Sequence, residues 1–214
     1  MEIKRVVSPL LDSNMYIVSE NNHCIIIDPY NDEQVIQLFS GLTPDFMLVT
    51  HEHYDHISGV NAYKERFGIP LYANRLCDKN LQLPSKNYAK YFKAYAAFQE
   101  SAFVWEDAVD DQYSCHADII VEDGQMLDWE GHQILIKMAP GHSAGSNLII
   151  IDDNAMFSGD CMLSESVPAA RFPGGDPKAF QEIVLPYLKS MNQDIQVYPG
   201  HYDAFCLREY YILK

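Results

Sequence analysis

The sequence predicts an α+β fold in which two β-sheets pack face to face and helices cover their outer faces. Three observations support this. Short apolar runs bounded by turn residues occur early in the chain, a helical pattern separates them from a second group of such runs, and a further helical pattern precedes the last strand-like run. With 214 residues, of which 48% are hydrophobic, the chain can bury a sizeable core as one domain covering residues 1–214.

The first predicted element is a β-hairpin. Residues 15–19 and 24–27 are strand-like runs on either side of the dipeptide Asn21-Asn22. Two asparagines between such runs are a two-residue turn signal. We therefore expect the two runs to pair as antiparallel strands.

A short helix and a buried strand are predicted next. Asn31 or Asp32 can cap a helix that runs through Phe39 and ends soon afterwards. Residues 46–50 then form an apolar run typical of a buried strand. This strand delivers His51 to the edge of a sheet.

The segment His-Glu-His-Tyr-Asp-His at residues 51–56 is the densest group of potential metal ligands. In an extended backbone, residues two apart point the same way, so His51 and His53 can converge on one ion. Asp55 and His56 follow as the chain turns into a predicted helix over residues 57–67. We expect them to face a second ion beside the first.

A second set of strands is predicted in the later half of the chain. Residues 133–138, 148–151 and 155–157 are strand-like, and the Asp-Asp-Asn sequence at 152–154 forms the turn between the last two.

A closing helix and a last strand follow. Asp176 before Pro177 is a strong helix start, and the helix is expected to run to about residue 191 with a disturbance at Pro186. Residues 195–198 form the last predicted strand.

Three more segments place a ligand-type side chain where a strand-like run ends. His142 follows Pro-Gly, Asp160 follows Gly, and His201 follows Pro-Gly. Imidazole and carboxylate groups are ordinary ligands for zinc, iron and manganese, and one carboxylate can hold an ion with each oxygen. Asp160 is the candidate for such a bridge.

A segment at about residues 77–113 does not belong to this scheme and is predicted to be a helical insertion. It is too long for a structureless loop. Aromatic residues recur in it at three- and four-residue steps, which predicts an amphipathic helix within residues 80–104: Tyr88, Tyr91, Phe92, Tyr95, Phe98 and Phe103. Its aromatic face either packs on the sandwich, forms a lid over the metals, or makes a homodimer contact.

The four ligand segments, in this order, resemble those of the metallo-β-lactamase-fold hydrolases, especially the glyoxalase II-like branch. The resemblance covers nearly the whole chain and implies a four-layer αββα sandwich. It also implies seven metal ligands: His51, His53 and His142 for one ion; Asp55, His56 and His201 for a second; and Asp160, with a water or hydroxide, bridging the two.

The resemblance further implies a binuclear hydrolase that acts on a small thioester, ester or lactone through a metal-bridging hydroxide. Two cations lower the pKa of the bridging water, and one polarises the substrate carbonyl. Asp55 is the predicted catalytic residue, because it can hold one ion and orient the hydroxide. Tyr54, Tyr202 and aromatic residues of the insertion are candidate donors to the oxyanion. We expect two divalent ions, with zinc preferred and iron or manganese as alternatives.

Substrate specificity is less well marked. Arg171 and residues 172–176 resemble the segment that follows Gly-Asp in glyoxalase II-type enzymes. Those enzymes hold glutathione with a C-terminal helical region, whereas this sequence ends thirteen residues after His201. We therefore expect a small-molecule thioester, ester or lactone as the substrate rather than a glutathione thioester, and a β-lactam is disfavoured.

Two other function classes stay open. One is a diiron oxidoreductase or persulfide dioxygenase-like enzyme of the same fold, because the ligand types do not exclude iron. His53 weighs against the diiron reductases, which usually have glutamate at that place. The other is a non-catalytic, metal-stabilised binding protein, which the full ligand set disfavours.

Composition narrows the partners and the compartment. With 15 Lys and Arg against 30 Asp and Glu, the formal net charge of −15 opposes binding to nucleic acid. No run approaches the roughly 18 apolar residues that span a bilayer, and no secretory signal is recognisable, so no membrane association and a cytoplasmic location are expected.

Five cysteines without a Cys-x-x-Cys pair argue against a disulfide framework. Cys161 either lies near the metal site or points into the core.

Overall fold

The computed structural model describes residues 1–96, 109–164 and 173–213, and within them it contains two six-stranded sheets. Strands that are consecutive in the chain are neighbours in each sheet. The first sheet consists of β1 Glu2–Val7, β2 Asn14–Glu20, β3 His23–Ile27, β4 Thr43–Leu48, β5 Leu71–Asn74 and β6 Ile119–Val121. The second consists of β7 Gln125–Trp129, β8 His132–Met138, β9 Asn147–Ile151, β10 Ala155–Gly159, β11 Gln196–Pro199 and β12 Phe205–Cys206.

Both sheets mix antiparallel and parallel pairs. In the first sheet β1, β2 and β3 are antiparallel, whereas β3 to β6 are parallel. In the second sheet only β10 and β11 pair in parallel. The α-helices of the described residues are α1 Glu33–Ile36, α2 Tyr54–Ile57, α3 Val60–Phe67, α4 Arg75–Leu81, α5 Ala89–Ala96, α6 Pro177–Ala179 and α7 Leu185–Ser190.

The predicted hairpin is confirmed as β2 and β3. Asn21 and Asn22 have φ angles of 51° and 65°, the left-handed conformation that a tight two-residue turn demands. The pairs Ser19 with Cys24 and Glu20 with His23 close the ladder next to the turn.

The predicted helix after the hairpin is also present, with Asp32 as its cap. The Asp32 carboxylate accepts a hydrogen bond from the Gln34 backbone N–H at 2.7 Å. The α-helical turn Glu33–Ile36 continues as a 3₁₀ turn over Gln37–Phe39.

The closing helix begins and is disturbed as predicted. Asp176 accepts hydrogen bonds from the backbone N–H groups of Lys178 and Ala179, each at 3.0 Å. Between α6 and α7 the segment Phe180–Val184 is π-helical. Pro186 lies two residues after the end of this segment and has no N–H to donate, so the backbone adjusts before it.

Two predicted helices are present only in part. The helix predicted over residues 57–67 is interrupted at residues 58–59, between α2 and α3, and the helix predicted within residues 80–104 is interrupted between α4 and α5. Residues 82–88 are turns that separate α4 from α5. Pro84 disfavours helical backbone at the residue before it. Asn87, whose side chain is fully buried, donates to the Leu81 carbonyl at 3.0 Å and so replaces helix bonds with a local contact. Residues 97–108, which include Phe98 and Phe103, lie outside the described residues.

The inner faces of the two sheets form a common hydrophobic core. Ile25 and Ile27 of β3 belong to the same buried cluster as Ile149 and Ile151 of β9. Residues two apart on a strand share a face, so each strand sends every second side chain into this core.

The outer face of each sheet is covered by helices. Ile26 of β3 packs in a cluster with Tyr63 of α3, and Ile150 of β9 packs in a cluster with Leu188 of α7. Cys161 is 1% exposed and belongs to the second of these clusters, so its side chain lies in the core. The layers therefore run helix, sheet, sheet, helix, which confirms the predicted four-layer sandwich. Among the described helices, none has the length and apolar character that crossing a membrane requires.

Candidate metal centre

Strand ends bring the predicted ligands to one edge of the sandwich. His51 lies three residues after the end of β4, and Asp160 directly follows β10. His201 lies two residues after β11, and His142 lies in the connection between β8 and β9. A Cβ at Gly200 would clash with the Asp160 carboxylate and lie 2.8 Å from Cε1 of His56. The Gly-His sequence is therefore required by close packing around the site.

Three histidines form the first ligand set. One ring nitrogen from each of His51, His53 and His142 lies within 4.8 Å of the other two, and all three residues are buried. His142 Nε2 and His53 Nδ1 are 2.9 Å apart. Three imidazole nitrogens at this spacing are suited to one divalent ion.

Asp55, His56 and His201 form the second ligand set, again with one atom each within 4.8 Å of the others. The Asp55 Oδ2 atom lies 3.3 Å from His56 Nε2 and 3.5 Å from His201 Nε2. The structure thus brings together the two sets that the sequence resemblance implies.

Asp160 lies between the two sets. Its Oδ2 atom is 3.6 Å from Nε2 of His142 in the first set and 3.5 Å from Nε2 of His201 in the second. Its Oδ1 atom is 3.4 Å from Nε2 of His56. One carboxylate therefore contacts residues of both sets, as a bridging ligand must.

Unpartnered buried atoms show that cations fit this arrangement. Among the described residues, His51 Nε2, His56 Nε2 and Asp160 Oδ1 are buried without a hydrogen-bond partner. Buried polar atoms almost always have a partner, because leaving one unpaired costs free energy. All three atoms belong to predicted ligands, so metal ions would satisfy them.

Asp28 orients two of these ligands, although the sequence analysis did not single it out. This buried carboxylate accepts hydrogen bonds from the Thr50 backbone N–H at 2.7 Å and from the Thr50 hydroxyl at 2.6 Å. It also accepts from His56 Nδ1 at 3.1 Å. Since the Thr50 hydroxyl donates to Asp28, its oxygen accepts from His51 Nδ1, 3.0 Å away. Both rings then carry their proton on Nδ1 and turn Nε2 toward the metal site.

Asp28 also lies near His51 and His56 as a possible third ligand set. Its oxygens already accept from three donors, so we assign it to ligand orientation. The sequence contains one indication of this role for Asp28. Its carboxylate directly follows the strand-like run at residues 24–27, and the metal ligands likewise follow their own strands.

Glu52 is the second residue that sequence reasoning missed. It is 3% exposed, and its carboxylate accepts hydrogen bonds from Asn80 Nδ2 at 2.7 Å and from the Ser143 hydroxyl at 2.8 Å. A Cβ at Gly145 would clash with this carboxylate and lie 2.6 Å from Cα of Cys77. Glu52 therefore ties the histidine-rich segment to α4 and to the loop that carries His142. The sequence does indicate this role, because Glu52 stands between His51 and His53. Successive side chains in an extended backbone point in opposite directions, so that of Glu52 turns away from the ions and into the protein.

Replacing Glu52 is expected to weaken metal binding without removing a ligand. In Glu52→Ala the loop of His142 loses its anchor, and we expect the affinity of the first ion to fall about 10- to 100-fold, as for other residues that orient ligands. Competition with a chromophoric chelator measures this affinity. Glu65→Ala, at an exposed position of α3, is the matched control. Unchanged affinity in Glu52→Ala would show that the network does not support the site.

Electrostatics divide the site into two halves. Burial, followed by the neighbouring His142, lowers the pKa of His53 to about 3, and burial also lowers the pKa of His51 and His142. Burial alone would lower the pKa of His201 as well, but Asp160 and Asp55 raise it to about 10. The first set thus presents neutral imidazoles, the form that binds cations.

The carboxylates are held ionised. Burial opposes ionisation of Asp160 and Asp55, yet the adjacent His201 and His56 hold the pKa of both carboxyls well below the usual range. The second half of the site therefore offers ionised carboxylate oxygens as ligands to a cation.

The predicted tyrosine donors lie in different places. Tyr54 is 3% exposed and packs edge-on against Phe92 and Tyr113, with ring centroids 5.0 and 5.4 Å apart. Tyr202 is 45% exposed and lies beside His201. Among the described aromatic residues of the insertion, Tyr88 reaches the ligands, because its ring centroid lies 4.8 Å from that of His53.

Arg171 and residues 165–172 around it lie outside the described residues.

Comparison with known proteins agrees with this geometry. A family model for the metallo-beta-lactamase superfamily matches residues 8–201. The "Probable metallo-hydrolase YqgX" of Bacillus subtilis is 25% identical over 205 residues, which cover 94% of this chain and 90% of that protein. The hydroxyacylglutathione hydrolase of Aeromonas hydrophila is 24% identical over 193 residues, which cover 89% of this chain and 61% of that enzyme. The chain thus spans less than two thirds of that enzyme's length.

A solved structure shows the same architecture. The crystal structure of TTHA1623 in a di-iron-bound form superposes with a TM-score of 0.75 at 26% identity and covers 96% of each chain. Together with the match over residues 8–201, this shows that the chain belongs to the metallo-beta-lactamase superfamily, as its motif order predicted.

Proposed function

We propose that this superfamily member is a binuclear metal-dependent hydrolase that acts on a small thioester, ester or lactone. The observation that supports this most directly is the position of Asp160, which contacts His142 of one ligand set and His56 and His201 of the other. A site with two ligand sets and a shared carboxylate is suited to holding two ions side by side.

The ligands suit such chemistry. Divalent cations lower the pKa of a coordinated water to near neutrality and polarise a carbonyl oxygen. Within the chain, Asp55 combines two roles in this proposal: it belongs to the second ligand set, and its ionised carboxylate can accept a hydrogen bond from the attacking water. Asp28 and Glu52 keep the histidines in place, so the site does not have to reorganise during the reaction.

Carbonyl substrates are proposed on two grounds. The superfamily includes hydroxyacylglutathione hydrolases among the relatives of this chain, and these act on a thioester by their name. The net charge of −15 disfavours the phosphodiester backbone of nucleic acid as the target.

Zinc is the proposed metal, and a redox function with iron is the second candidate. Imidazole and carboxylate ligands accept zinc, manganese and iron alike. The di-iron-bound form of TTHA1623, at 26% identity, is the specific observation that favours the second candidate.

A panel of simple acyl thioesters, esters and lactones tests the proposal. Protein stripped with a chelator and reloaded with zinc or manganese is expected to hydrolyse at least one class. Activity is expected to fall more than about 100-fold in His51→Ala and Asp55→Ala, because residues that only orient a ligand are already worth about 10- to 100-fold. His116→Ala is the control, since its side chain is 67% exposed and lies outside both ligand sets.

Two results would decide against hydrolysis. If no member of the panel is turned over by the zinc or manganese form, the hydrolase assignment fails. If, in addition, the iron form consumes oxygen and shows visible absorbance, the redox candidate takes its place.

A further inference from the structure

Tyr88 adopts a backbone conformation that bulky residues avoid. Its φ angle is +66°, in the left-handed region that favours glycine and asparagine. Such strain persists only where neighbouring contacts enforce it, and it is often found at functional sites. Here Asn87 and Ala89 on either side are fully buried, and the Asn87 side chain donates to the carbonyls of Leu81 and Tyr113 at 3.0 and 2.9 Å.

The strained backbone aims the Tyr88 ring at the metal site. The ring meets that of His53 edge-on, at an interplanar angle of 79° and a centroid distance of 4.8 Å. Since His53 belongs to the three-histidine set, a group bound at the first ion would lie beside this ring.

The Tyr88 hydroxyl crosses to the other side of the site. It donates a hydrogen bond to the carbonyl oxygen of Pro173, in the connection between Asp160 and the closing helix. The side chain is partly exposed.

We propose that Tyr88 determines substrate specificity by forming the wall of the acyl-binding space beside His53, with its hydroxyl tied to Pro173 so that only short acyl groups fit. This inference rests on the proposed function. A longer acyl chain has to displace the ring, which breaks the hydrogen bond to Pro173. The substrate class is therefore a thioester or ester with a short acyl group.

Of the aromatic residues of α5, neither Tyr91 nor Phe92 carries this role. Tyr91 is 48% exposed on α5, and Phe92 is 3% exposed and packs against Tyr54. Tyr91 is therefore a matched control on the same segment.

Two variants separate the ring from the hydroxyl. Tyr88→Gly removes the ring and suits the left-handed backbone, so it is not expected to impair folding. Tyr88→Phe keeps the ring and removes the tie to Pro173. Tyr91→Ala is the control. Each protein is loaded with zinc, its metal content is measured, and kcat/KM is determined for acetyl, butanoyl, hexanoyl and octanoyl thioesters of one small thiol.

The expected result is a change in chain-length preference at unchanged metal content. The octanoyl-to-acetyl ratio of kcat/KM is expected to rise at least about tenfold in Tyr88→Gly, because even one methylene group in a pocket changes kcat/KM about tenfold or more. Tyr88→Phe is expected to show a smaller rise and Tyr91→Ala none. An unchanged ratio in Tyr88→Gly with full metal content would overturn the proposal.

A second measurement does not depend on turnover. The dissociation constants of acetate and octanoate for the zinc-loaded proteins are measured by calorimetry. The ratio of the octanoate dissociation constant to the acetate dissociation constant is expected to be at least about tenfold lower in Tyr88→Gly than in the unchanged protein. If the unchanged protein hydrolyses no thioester, the proposed function fails, and this ratio alone then decides whether Tyr88 limits the acyl space. An unchanged ratio of the two dissociation constants would show that Tyr88 does not limit the acyl-binding space.

Discussion

Asp160→Ala is expected to reduce the metal content from two ions per chain to one weakly held ion or none. The reason is that its two oxygens contact residues of both ligand sets, at 3.4 to 3.6 Å from His56, His142 and His201. Without the carboxylate, two cations would also face each other without the negative charge between them. Elemental analysis after equilibration with excess zinc and gel filtration measures the content.

Thermal unfolding provides an independent test of the same variant. Ions that bind only the folded chain stabilise it, by about 2.7 kcal/mol per site when the free ion is at 100 times its dissociation constant. Chelation is therefore expected to lower the Tm of the unchanged protein strongly and that of Asp160→Ala only slightly. Asp194→Ala, at an exposed ion pair with Arg208, is expected to behave like the unchanged protein.

The bridged two-ion site would be wrong in either of two cases. One is that Asp160→Ala retains two ions with unchanged affinity. The other is that metal-replete, unchanged protein reproducibly contains one ion or none.

Asp28→Ala is expected to destabilise the metal-free protein by about 3–5 kcal/mol, the usual cost of removing one partner of a buried charged network. Its carboxylate is 1% exposed and accepts from the Thr50 backbone, the Thr50 hydroxyl and His56 Nδ1. Removing it leaves three buried donors without an acceptor, and each unsatisfied donor is costly. Urea denaturation in the presence of a chelator measures the free energy of unfolding without a contribution from bound ions.

Asp152→Ala is a closely matched control for this prediction. Asp152 also accepts from a backbone N–H, that of Gln133 at 2.9 Å, and from a histidine, His132 Nδ1 at 2.6 Å. Its side chain is 39% exposed, so water can replace the lost contacts, and we expect a change of no more than about 1 kcal/mol. Equal destabilisation by the two substitutions would show that burial of the Asp28 network is not what stabilises this region.

After metal loading, Asp28→Ala is also expected to bind its second ion less tightly. His56 would lose the acceptor that holds its proton on Nδ1, and the ring could turn Nε2 away from the site. A variant with normal affinity for both ions would show that His56 is positioned by packing alone.

Local physics made much of the architecture predictable from sequence. The turn at Asn21 and Asn22, the cap at Asp32 and the helix start at Asp176 depend on residues within a few positions of one another. The two-residue period that turns His51 and His53 the same way is equally local. The expectation that all the ligand segments meet needed two further observations. One is their position after strand-like runs, and the other is the family resemblance that their order carries.

Contacts between distant parts of the chain could be decided only by the tertiary structure. Glu52 and Ser143 are 91 positions apart, and Tyr88 and Pro173 are 85 apart, so no periodicity relates them. The break between α4 and α5 likewise depends on Asn87 reaching the carbonyl of Tyr113 across the fold.

The sequence by itself determined which residue types are present at the strand ends. It also determined which side chains of a strand share a face, because successive side chains alternate along an extended backbone. The tertiary structure decided which buried carboxylates orient the ligands and which aromatic side chain reaches them. The physical reason is that burial and hydrogen bonding depend on neighbours from several elements at once. Asp28 shows this most clearly: it lies outside both predicted ligand sets, yet it sets the proton positions of His51 and His56 through Thr50 and a direct hydrogen bond.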